Sequence, residues 1–452
     1  MKTNLSQSPH MGTRLYRRLL CPKKVVGMAD HLSLQSTNEE IEENIPDASP
    51  YRWVVFSVFV ACSTSGFSVV HTFGILLPSI ADDLSLLPRE QGILSSAPFT
   101  ANLLLMIVIS WWASRYRPKI LVSVTILVGA LFLFLQGWAP TFLALFLGRL
   151  AFGIMMIVIE PARSLLIRQW LPQRETNMAG GISNLFYGII VSGGLLLTPI
   201  ILNYFDGNWR ATLNVFGAFF LVLFAVWQIL GKERSSVTTL GVKESNVPAS
   251  EFSLVKKAFS FREVWLAGFG FIGALIAYSS FNNFFPTMAL EFYSISLTSS
   301  GFLIAMYVLP GGVSGVIVGY FLKGTRGRSP ILALAGIVMG ATYCAMTLTE
   351  SYHLLFIVAV LNGICWGFFP LLYMVPFHLK GVQPREIAIA VAVVMSMAHL
   401  GSSVGPTLVG YMQEYLGSLQ LSMRIVSLAP LTLVIAAVLL GKNKIISLNS
   451  LN

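Results

Sequence analysis

Long apolar stretches alternate with short polar connections along most of this chain. Twelve of the stretches are long enough to cross a bilayer, because about 20 helical residues, each rising about 1.5 Å, span a hydrocarbon layer of about 30 Å. A helix also satisfies its own backbone polar groups in lipid. The predicted spans 1 to 12 are Trp53–Leu77, Gln91–Trp112, Ile120–Gln136, Thr141–Ile167, Met178–Leu202, Ala211–Leu230, Val264–Phe285, Gly301–Leu322, Ile331–Leu348, Leu354–His378, Ile387–Tyr411 and Leu421–Leu440.

The composition is that of a polytopic membrane protein. Of the 452 residues, 55% are apolar and only 11% are charged, and the mean hydropathy is +0.72. Soluble domains carry about twice that share of charged residues. We therefore expect an all-α protein embedded in a lipid bilayer.

Lys and Arg residues fall almost wholly in alternate connections. The positive-inside rule places such connections on the cytoplasmic side, together with the basic N-terminal arm and the C-terminal tail. We therefore expect both termini in the cytoplasm and the protein in the plasma (inner) membrane. The net charge of +10 is accounted for by the basic cytoplasmic connections, which lie near anionic lipid headgroups. We therefore expect no nucleic-acid partner. The basic connections hold Arg115, Arg117 and Lys119; Arg168 and Arg174; Lys232, Arg234, Lys256, Lys257 and Arg262; Lys323, Arg326 and Arg328; Lys380 and Arg385.

Polar ends and sparse cysteines complete this outline. Residues 1–51 are turn-rich and lack the continuous apolar core of a secretory signal, so they are predicted to be a flexible cytoplasmic arm. The four cysteines are far apart and form no C-x-x-C pair, and the six histidines are scattered. We therefore expect no disulfide framework, no metal site and no cofactor.

The chain repeats itself with an offset of 211 residues. Glu175 in the connection before span 5 is matched by Glu386 before span 11, and Arg52 before span 1 by Glu263 before span 7. This agreement predicts two six-helix bundles, 52–231 and 263–441, joined by the cytoplasmic linker 232–262 and followed by the tail 442–452. Parallel repeats on either side of one cavity are typical of transporters.

On these features the chain resembles the major facilitator superfamily of secondary transporters. The segment Leu147–Gly153, with Arg149 four residues before Gly153, is similar to the signature of that family in span 4. The signature after span 2 is weaker, since Ser110–Lys119 lacks both glycines and the acidic residue. The resemblance implies twelve transmembrane helices in two pseudo-symmetric halves, with spans 1, 4, 7 and 10 around a central cavity.

Drug–proton antiporters of that family carry a Gly-Pro motif in span 5. Here Gly188–Gly194 has no adjacent proline, and Gly405-Pro406 lies in span 11 instead. That displacement argues against drug export, although small residues four apart are also what close helix packing requires.

Span 4 holds charged residues on one face. At about 100° per residue, Arg149, Glu160 and Arg163 project within an arc of roughly 80°. Buried charges in lipid are costly, so this face should turn inward. We expect Arg149 and Arg163 to attract an anion and Glu160 to respond to a proton. The alternative is structural: Arg149 ties span 4 to neighbouring helices, and Glu160 pairs with Arg163.

The other cavity spans have aromatic and polar faces. Span 7 carries Tyr278 and Asn282, and span 10 carries Trp366 and Tyr373 on a stripe that includes Asn362 and Phe369. We predict that the first four bind the solute, while packing is the alternative for each aromatic residue. His71 in span 1 is predicted to take part in proton coupling, or else to be a buried neutral histidine. His399 in span 11 ranks below it.

These observations predict a secondary active transporter that moves a small solute by alternating access. The predicted pathway holds two Arg residues and one Glu, and this excess of positive charge favours an organic anion as the solute. We expect protons as a coupling partner. One alternative is an exporter of amphipathic compounds, and another is a transporter-like membrane sensor. The chain has no phosphate-binding G-x-x-x-x-G-K-S/T loop and no convergent catalytic set, so it is not expected to be an enzyme. We expect a monomer.

Overall fold

A computed structural model describes residues 50–113, 115–171, 175–233, 259–321, 328–379 and 384–442. Apart from turns, these residues are helical, as the sequence predicts. Most of the predicted arm, linker and tail lies outside the described residues. The helices are α1 Tyr51–Leu84, α2 Pro88–Ala113, α3 Pro118–Gly137, α4 Phe142–Trp170, α5 Thr176–Tyr204, α6 Trp209–Leu230, α7 Arg262–Tyr293, α8 Leu297–Phe321, α9 Arg328–Met346, α10 from Tyr352–Cys365, α11 Pro384–Leu416, and α12 in two segments, Leu419–Val426 and Leu431–Lys442.

Each predicted span corresponds to one of these helices. Within the described ranges, eleven are long and apolar enough to cross a membrane. The remaining one, α2, has 26 residues and is therefore about 39 Å long. The fold class predicted from the sequence is confirmed.

Several helices extend past the predicted apolar stretch. α1 continues from Leu77 to Leu84 and so includes Asp83. That carboxylate pairs with the guanidinium of Arg210 and accepts a 3.3 Å hydrogen bond from Nε1 of Trp209 at the start of α6. A polar helix end can therefore project beyond the hydrocarbon layer, which an apolarity criterion does not detect.

Prolines interrupt the last cavity span and the last helix. α10 continues through a 3₁₀ turn at Trp366–Phe368, a short helix at Phe369–Tyr373 and a second 3₁₀ turn at Val375–His378. Pro370 and Pro376 lie in these pieces and remove backbone donors that a regular helix needs. Pro430 lies in the gap between the two segments of α12 in the same way.

Short turns join helices at the side of the bundle opposite the start of α1. We call this the distal side and the other the terminal side. Three helices that begin there are capped by a side-chain oxygen, which satisfies one of the unpaired N–H groups of the first turn. The pairs are Thr141 with Ala144 N, Asn208 with Ala211 N, and Ser418 with Leu421 N.

Helix neighbours in the first half recur six helices later. α2 packs on α4, α3 on α6 and α1 on α5, while α8 packs on α10, α9 on α12 and α7 on α11. Contacts between the halves join α2 to α11, α5 to α8 and α1 to α7. This is the pattern expected of two related six-helix halves. The boundaries drawn between the halves from the sequence stay a prediction.

Candidate functional site

The halves meet through small and polar side chains on the distal side. Between α2 and α11, Oγ1 of Thr100 lies 2.6 Å from Oγ of Ser403, and Oγ1 of Thr407 donates to Oγ of Ser96 at 2.8 Å. Nearer the distal surface, Arg89 and Glu414 form a 3.4 Å ion pair whose side chains are 46% and 39% exposed. These contacts are weak individually, because exposed ion pairs contribute about 0–1 kcal/mol.

Glycines let the backbones of the two halves touch. Gly92 of α2 faces the backbone of Pro406, where a Cβ would lie 2.5 Å from the carbonyl oxygen. Gly74 of α1 abuts the backbone of Asn282 and Asn283 in α7. Any larger residue would push the halves apart at these points.

α5 and α8 form the second lateral contact. Oγ of Ser192 donates to the carbonyl oxygen of Ala305 at 3.1 Å. A Cβ on Gly301 would lie 2.6 Å from the carbonyl oxygen of Leu195, and one on Gly312 would lie 2.8 Å from that of Asn184. The halves are therefore closely packed along this edge.

His71 lies at the centre of the bundle, where the two halves meet. Its Nδ1 is 2.7 Å from the carbonyl oxygen of Phe67, which can only accept, so Nδ1 carries the proton in the neutral ring. Nε2 can then accept from the hydroxyl of Tyr187 in α5 at 3.4 Å. The ring centroid of His71 is 5.4 Å from that of Tyr278 and 6.5 Å from that of Phe99. The side chain is 4% exposed.

The second half supplies an aromatic and amide wall to this cluster. Tyr278 is 4.6 Å from Trp366 and 5.5 Å from Tyr307 between ring centroids. Nδ2 of Asn282 donates to the carbonyl oxygen of Tyr278 at 3.2 Å. We call His71, Tyr187, Tyr278, Asn282 and Trp366 the central cluster. The structure thus brings together four residues that the sequence singled out, on α1, α7 and α10.

Arg149 is buried among α1, α2 and α4. It is 2% exposed, and its Nε donates to the carbonyl oxygen of Leu94 at 2.7 Å. Its guanidinium carbon lies 3.3 Å from the ring centroid of Phe73, a cation–π contact. Nη2 of Arg149 is buried with no hydrogen-bond partner among the described residues. Arg149 therefore ties three helices together while one of its donor nitrogens has no hydrogen-bond partner among the described residues.

The remaining predicted residues lie toward the terminal side. Arg163 and Tyr373 are both half-buried. The ring of Tyr373 is 6.1 Å from that of Phe369 and 6.2 Å from that of Phe377. Glu160 lies on α4, but its side chain is outside what the structure describes. The assignment of Arg163 and Tyr373 to a solute and of Glu160 to a proton stays a prediction.

Asn362, which belongs to the stripe expected along span 10, bonds to a neighbouring helix of its own half. This residue is fully buried, and its Nδ2 donates to Oγ1 of Thr342 in α9 at 2.8 Å. The 3₁₀ turn at Trp366–Phe368 changes the rotation per residue. Side chains three residues apart eclipse each other in a 3₁₀ turn, so Trp366 and Phe369 both meet α7, at Tyr278 and Phe271, and the contact of the stripe with a solute stays a prediction.

Sequence reasoning missed several members of the central region. Tyr187, Phe99 and Tyr307 each lie in a span with no charged residue, where a single aromatic residue is usually packing. Their relation to His71 depends on which helices are neighbours, and the sequence pattern carries no such signal. Among the described residues, no group of three His, Cys, Asp or Glu could hold a metal.

Comparison with known proteins identifies relatives over most of the chain. The sequence model described as Major Facilitator Superfamily matches residues 54–406. The probable galactarate/D-glucarate transporter GarP of Escherichia coli K12 is 23% identical over 81% of this chain and 89% of its own. The probable L-galactonate transporter of the same strain is 22% identical over 60% of this chain and 62% of its own. The crystal structure of a bacterial homologue of the human lysosomal transporter Spinster, inward-facing and unoccupied, superposes with a TM-score of 0.67 at 16% identity, over 86% of this chain and 95% of that one.

Proposed function

Because the chain belongs to the Major Facilitator Superfamily, it is a membrane transporter and not an enzyme, and we propose that it is a secondary active transporter of a small organic anion. The halves would alternate between an opening on the distal side and one on the terminal side. Membership of the family shows that the protein transports a small solute. We propose in addition that this solute is an anion and that the two halves alternate between two openings.

The proposal that the solute is an anion rests on the environment of Arg149. A guanidinium that is 2% exposed is costly to bury unless it is compensated. Its described partners are a carbonyl oxygen and an aromatic ring, and neither carries a negative charge. A carboxylate of the solute would supply the missing charge and occupy Nη2.

Alternation is supported by the difference between contacts within and between the halves. Large apolar side chains such as Phe59, Trp227 and Phe271 are fully buried within the bundle. The described contacts that join α2 to α11 are hydroxyl pairs, glycine contacts and an exposed ion pair, which a modest free energy could open. Ligand binding at the centre could therefore shift the balance between two states.

We assign roles to the candidate residues as follows. Arg149 is the principal anion contact, and Arg163 attracts the anion toward the terminal opening. Tyr278, Asn282 and Trp366 form the opposite wall, where aromatic rings and an amide suit an amphipathic body, and Tyr373 contacts the solute nearer the terminal side. His71 and Glu160 take up the coupling proton.

The names of the relatives are consistent with this proposal. GarP is named for galactarate and D-glucarate and the second relative for L-galactonate, all of which are organic anions at neutral pH. We further propose that the terminal side faces the cytoplasm of the cell whose plasma (inner) membrane holds the protein, because the basic connections lie there.

Counterflow in proteoliposomes tests the proposed function. Vesicles preloaded with an unlabelled acid should take up the same labelled acid faster than protein-free vesicles. The test set comprises lactate, benzoate and D-gluconate as anions, tetraphenylphosphonium as a cation and uridine as a neutral solute. Exchange of one or more acids supports the proposal. Exchange of the cation alone would favour the export of amphipathic compounds, and exchange of uridine alone would rule out an anion site.

A further inference from the structure

Two of the three Lys or Arg residues inside the predicted spans lie on α4. The predicted spans contain three Lys or Arg residues in all: Arg149, Arg163 and Arg424. Arg424 of α12 donates to the carbonyl oxygen of Thr347 at 3.3 Å and to its Oγ1 at 3.4 Å, so it caps the distal end of α9. Only the two α4 residues remain as cations for a central solute.

The two α4 residues lie far apart along the helix compared with the length of a small diacid. Fourteen residues separate Arg149 from Arg163 in the sequence, which corresponds to about 21 Å along a helix. The end carbons of a six-carbon diacid are at most about 8 Å apart, since five C–C bonds of about 1.5 Å join them. A diacid bound at Arg149 would therefore meet Arg163 only if the Arg163 side chain extended along the helix toward it, whereas a monoacid needs Arg149 alone.

The second half offers no cation in compensation. An offset of 210 or 211 residues places Ala359 or Val360 at the position of Arg149, and Tyr373 or Met374 at that of Arg163. The wall that the second half contributes to the central cluster is Tyr278, Asn282 and Trp366. Aromatic faces carry negative potential, so they repel a second carboxylate and accept an apolar or hydroxylated body.

His71 adds no positive charge while its ring is neutral, that is, before it takes up the proposed coupling proton. Nδ1 donates to the carbonyl oxygen of Phe67, and Nε2 faces the hydroxyl of Tyr187 as an acceptor. A second carboxylate near the neutral ring would be desolvated with only neutral donors such as the hydroxyl of Tyr187 beside it, and burying that charge without a cation costs several kcal/mol.

From this distribution of charge we propose that the substrate carries one carboxylate on an amphipathic body and that diacids of similar size are excluded. The proposal rests on the proposed function and narrows its substrate class. The carboxylate lies at Arg149 in the first half, and the body lies against the aromatic wall of the second half.

Matched pairs of acids test this directly. D-Gluconate and D-glucarate share one carbon skeleton and differ by a carboxylate, as do phenylacetate and 1,4-phenylenediacetate. In each pair that the wild-type protein exchanges, the rate of counterflow should be at least about tenfold higher for the monoacid than for the diacid. A diacid that exchanges as fast as its monoacid overturns this inference but leaves the anion transporter intact. Exchange of neither acid, with exchange of tetraphenylphosphonium or uridine, overturns the proposed function itself.

An added cation gives the converse test. Trp366→Arg places a guanidinium in the neutral wall, and Trp366→Gln removes the same ring without adding charge. The ratio of diacid to monoacid exchange should rise about tenfold in Trp366→Arg relative to Trp366→Gln. An equal ratio in two folded variants overturns the inference. If either variant fails to fold, the wild-type pairs decide.

Discussion

Nε of Arg149 donates to the carbonyl oxygen of Leu94, and that carbonyl is the one that Pro98 leaves without a helical partner. A regular helix would pair Leu94 O with the N–H four residues later, which proline lacks. The side chain of α4 therefore completes the backbone of α2. Arg149 has a structural contact through Nε, and Nη2, which has no partner among the described residues, is the donor that we propose for the solute.

Arg149→Lys separates these two roles. Lysine keeps the positive charge but loses the planar fork that holds a carboxylate with two hydrogen bonds. Hydrogen bonds to charged groups contribute about 1.5–3 kcal/mol, so anion exchange should fall at least about tenfold. Fluorescence-detected gel filtration should show near-normal amounts of folded protein. Exchange at the parental rate would assign Arg149 to packing alone.

Close packing between α4 and α2 predicts a large effect at Gly153. A Cβ there would lie 2.5 Å from the carbonyl oxygen of Pro98 and 2.6 Å from its Cα. Gly153→Ala should therefore destabilise the protein by about 1–3 kcal/mol through overpacking. Gly180→Ala in α5 is the matched control, since a Cβ on Gly180 meets nothing within 4 Å.

Thermal unfolding in detergent compares the two glycine variants. The midpoint for Gly153→Ala should lie below that of the parent, and the midpoint for Gly180→Ala should equal or exceed it, because alanine favours helix. Equal midpoints for the two variants would contradict the described approach of α4 to α2.

The proton role of His71 predicts a selective loss. His71→Gln keeps a neutral hydrogen-bonding side chain but cannot take up a proton at Nε2. Accumulation of the anion driven by a pH gradient should be lost, while exchange down its own gradient should continue. His353→Gln changes an exposed histidine at the start of α10 and should keep both activities.

If His71→Gln and His353→Gln gave the same accumulation and the same exchange, His71 would have no role in proton coupling. Glu160→Gln then tests the other residue proposed to carry the proton, by the same pair of assays. Unchanged gradient-driven uptake in both His71→Gln and Glu160→Gln would contradict proton coupling through either group.

The sequence determines the helices well and their interruptions less well. Hydropathy places each span because lipid selects strongly for apolar residues. Helix ends are less constrained, since α1 continues to Leu84 through a polar segment in which Asp83 pairs with Arg210. The break of α10 has a visible signal in Pro370 and Pro376. The 3₁₀ turn begins at Trp366, four residues before Pro370. In a regular helix the carbonyl oxygen of Trp366 would accept from the N–H of residue 370, which proline lacks.

The central cluster was only partly predictable. His71, Tyr278, Asn282 and Trp366 could be selected because the family resemblance names the cavity helices. Tyr187 could not, since α5 is not among those helices and carries no charge that sets this ring apart. The partner of Arg149 was also hidden, although Pro98 marks Leu94 as a carbonyl in need of a donor. Which side chain meets it depends on the packing of α4 on α2.

Orientation in the membrane predicts opposite labelling of two cysteines. With the native cysteines replaced by serine, Ser351→Cys on the distal side should react with an impermeant maleimide added to intact cells. Ser245→Cys, in the linker predicted to be cytoplasmic, should react only after the cells are permeabilised. Labelling of residue 245 from outside would invert the proposed topology.

The central claim is that the halves separate on the distal side during transport, and a reversible cross-link tests it most directly. In the same cysteine-free background, Thr100→Cys with Ser403→Cys replaces two hydroxyls that are 2.6 Å apart across α2 and α11. The control, Ser329→Cys with Gly441→Cys, joins α9 to α12 within one half, where the Cβ atoms would be 3.3 Å apart. Disulfides join Cβ atoms about 3.5–4.5 Å apart, so the control pair needs a small adjustment, and the hydroxyl contact places the two side chains of the test pair against each other.

Counterflow of the exchanged acid is then measured after oxidation and again after reduction. The cross-link between the halves should abolish exchange, reduction should restore it, and the cross-link within one half should leave it unchanged. Undiminished exchange through a quantitatively formed 100–403 disulfide would contradict alternation between the halves.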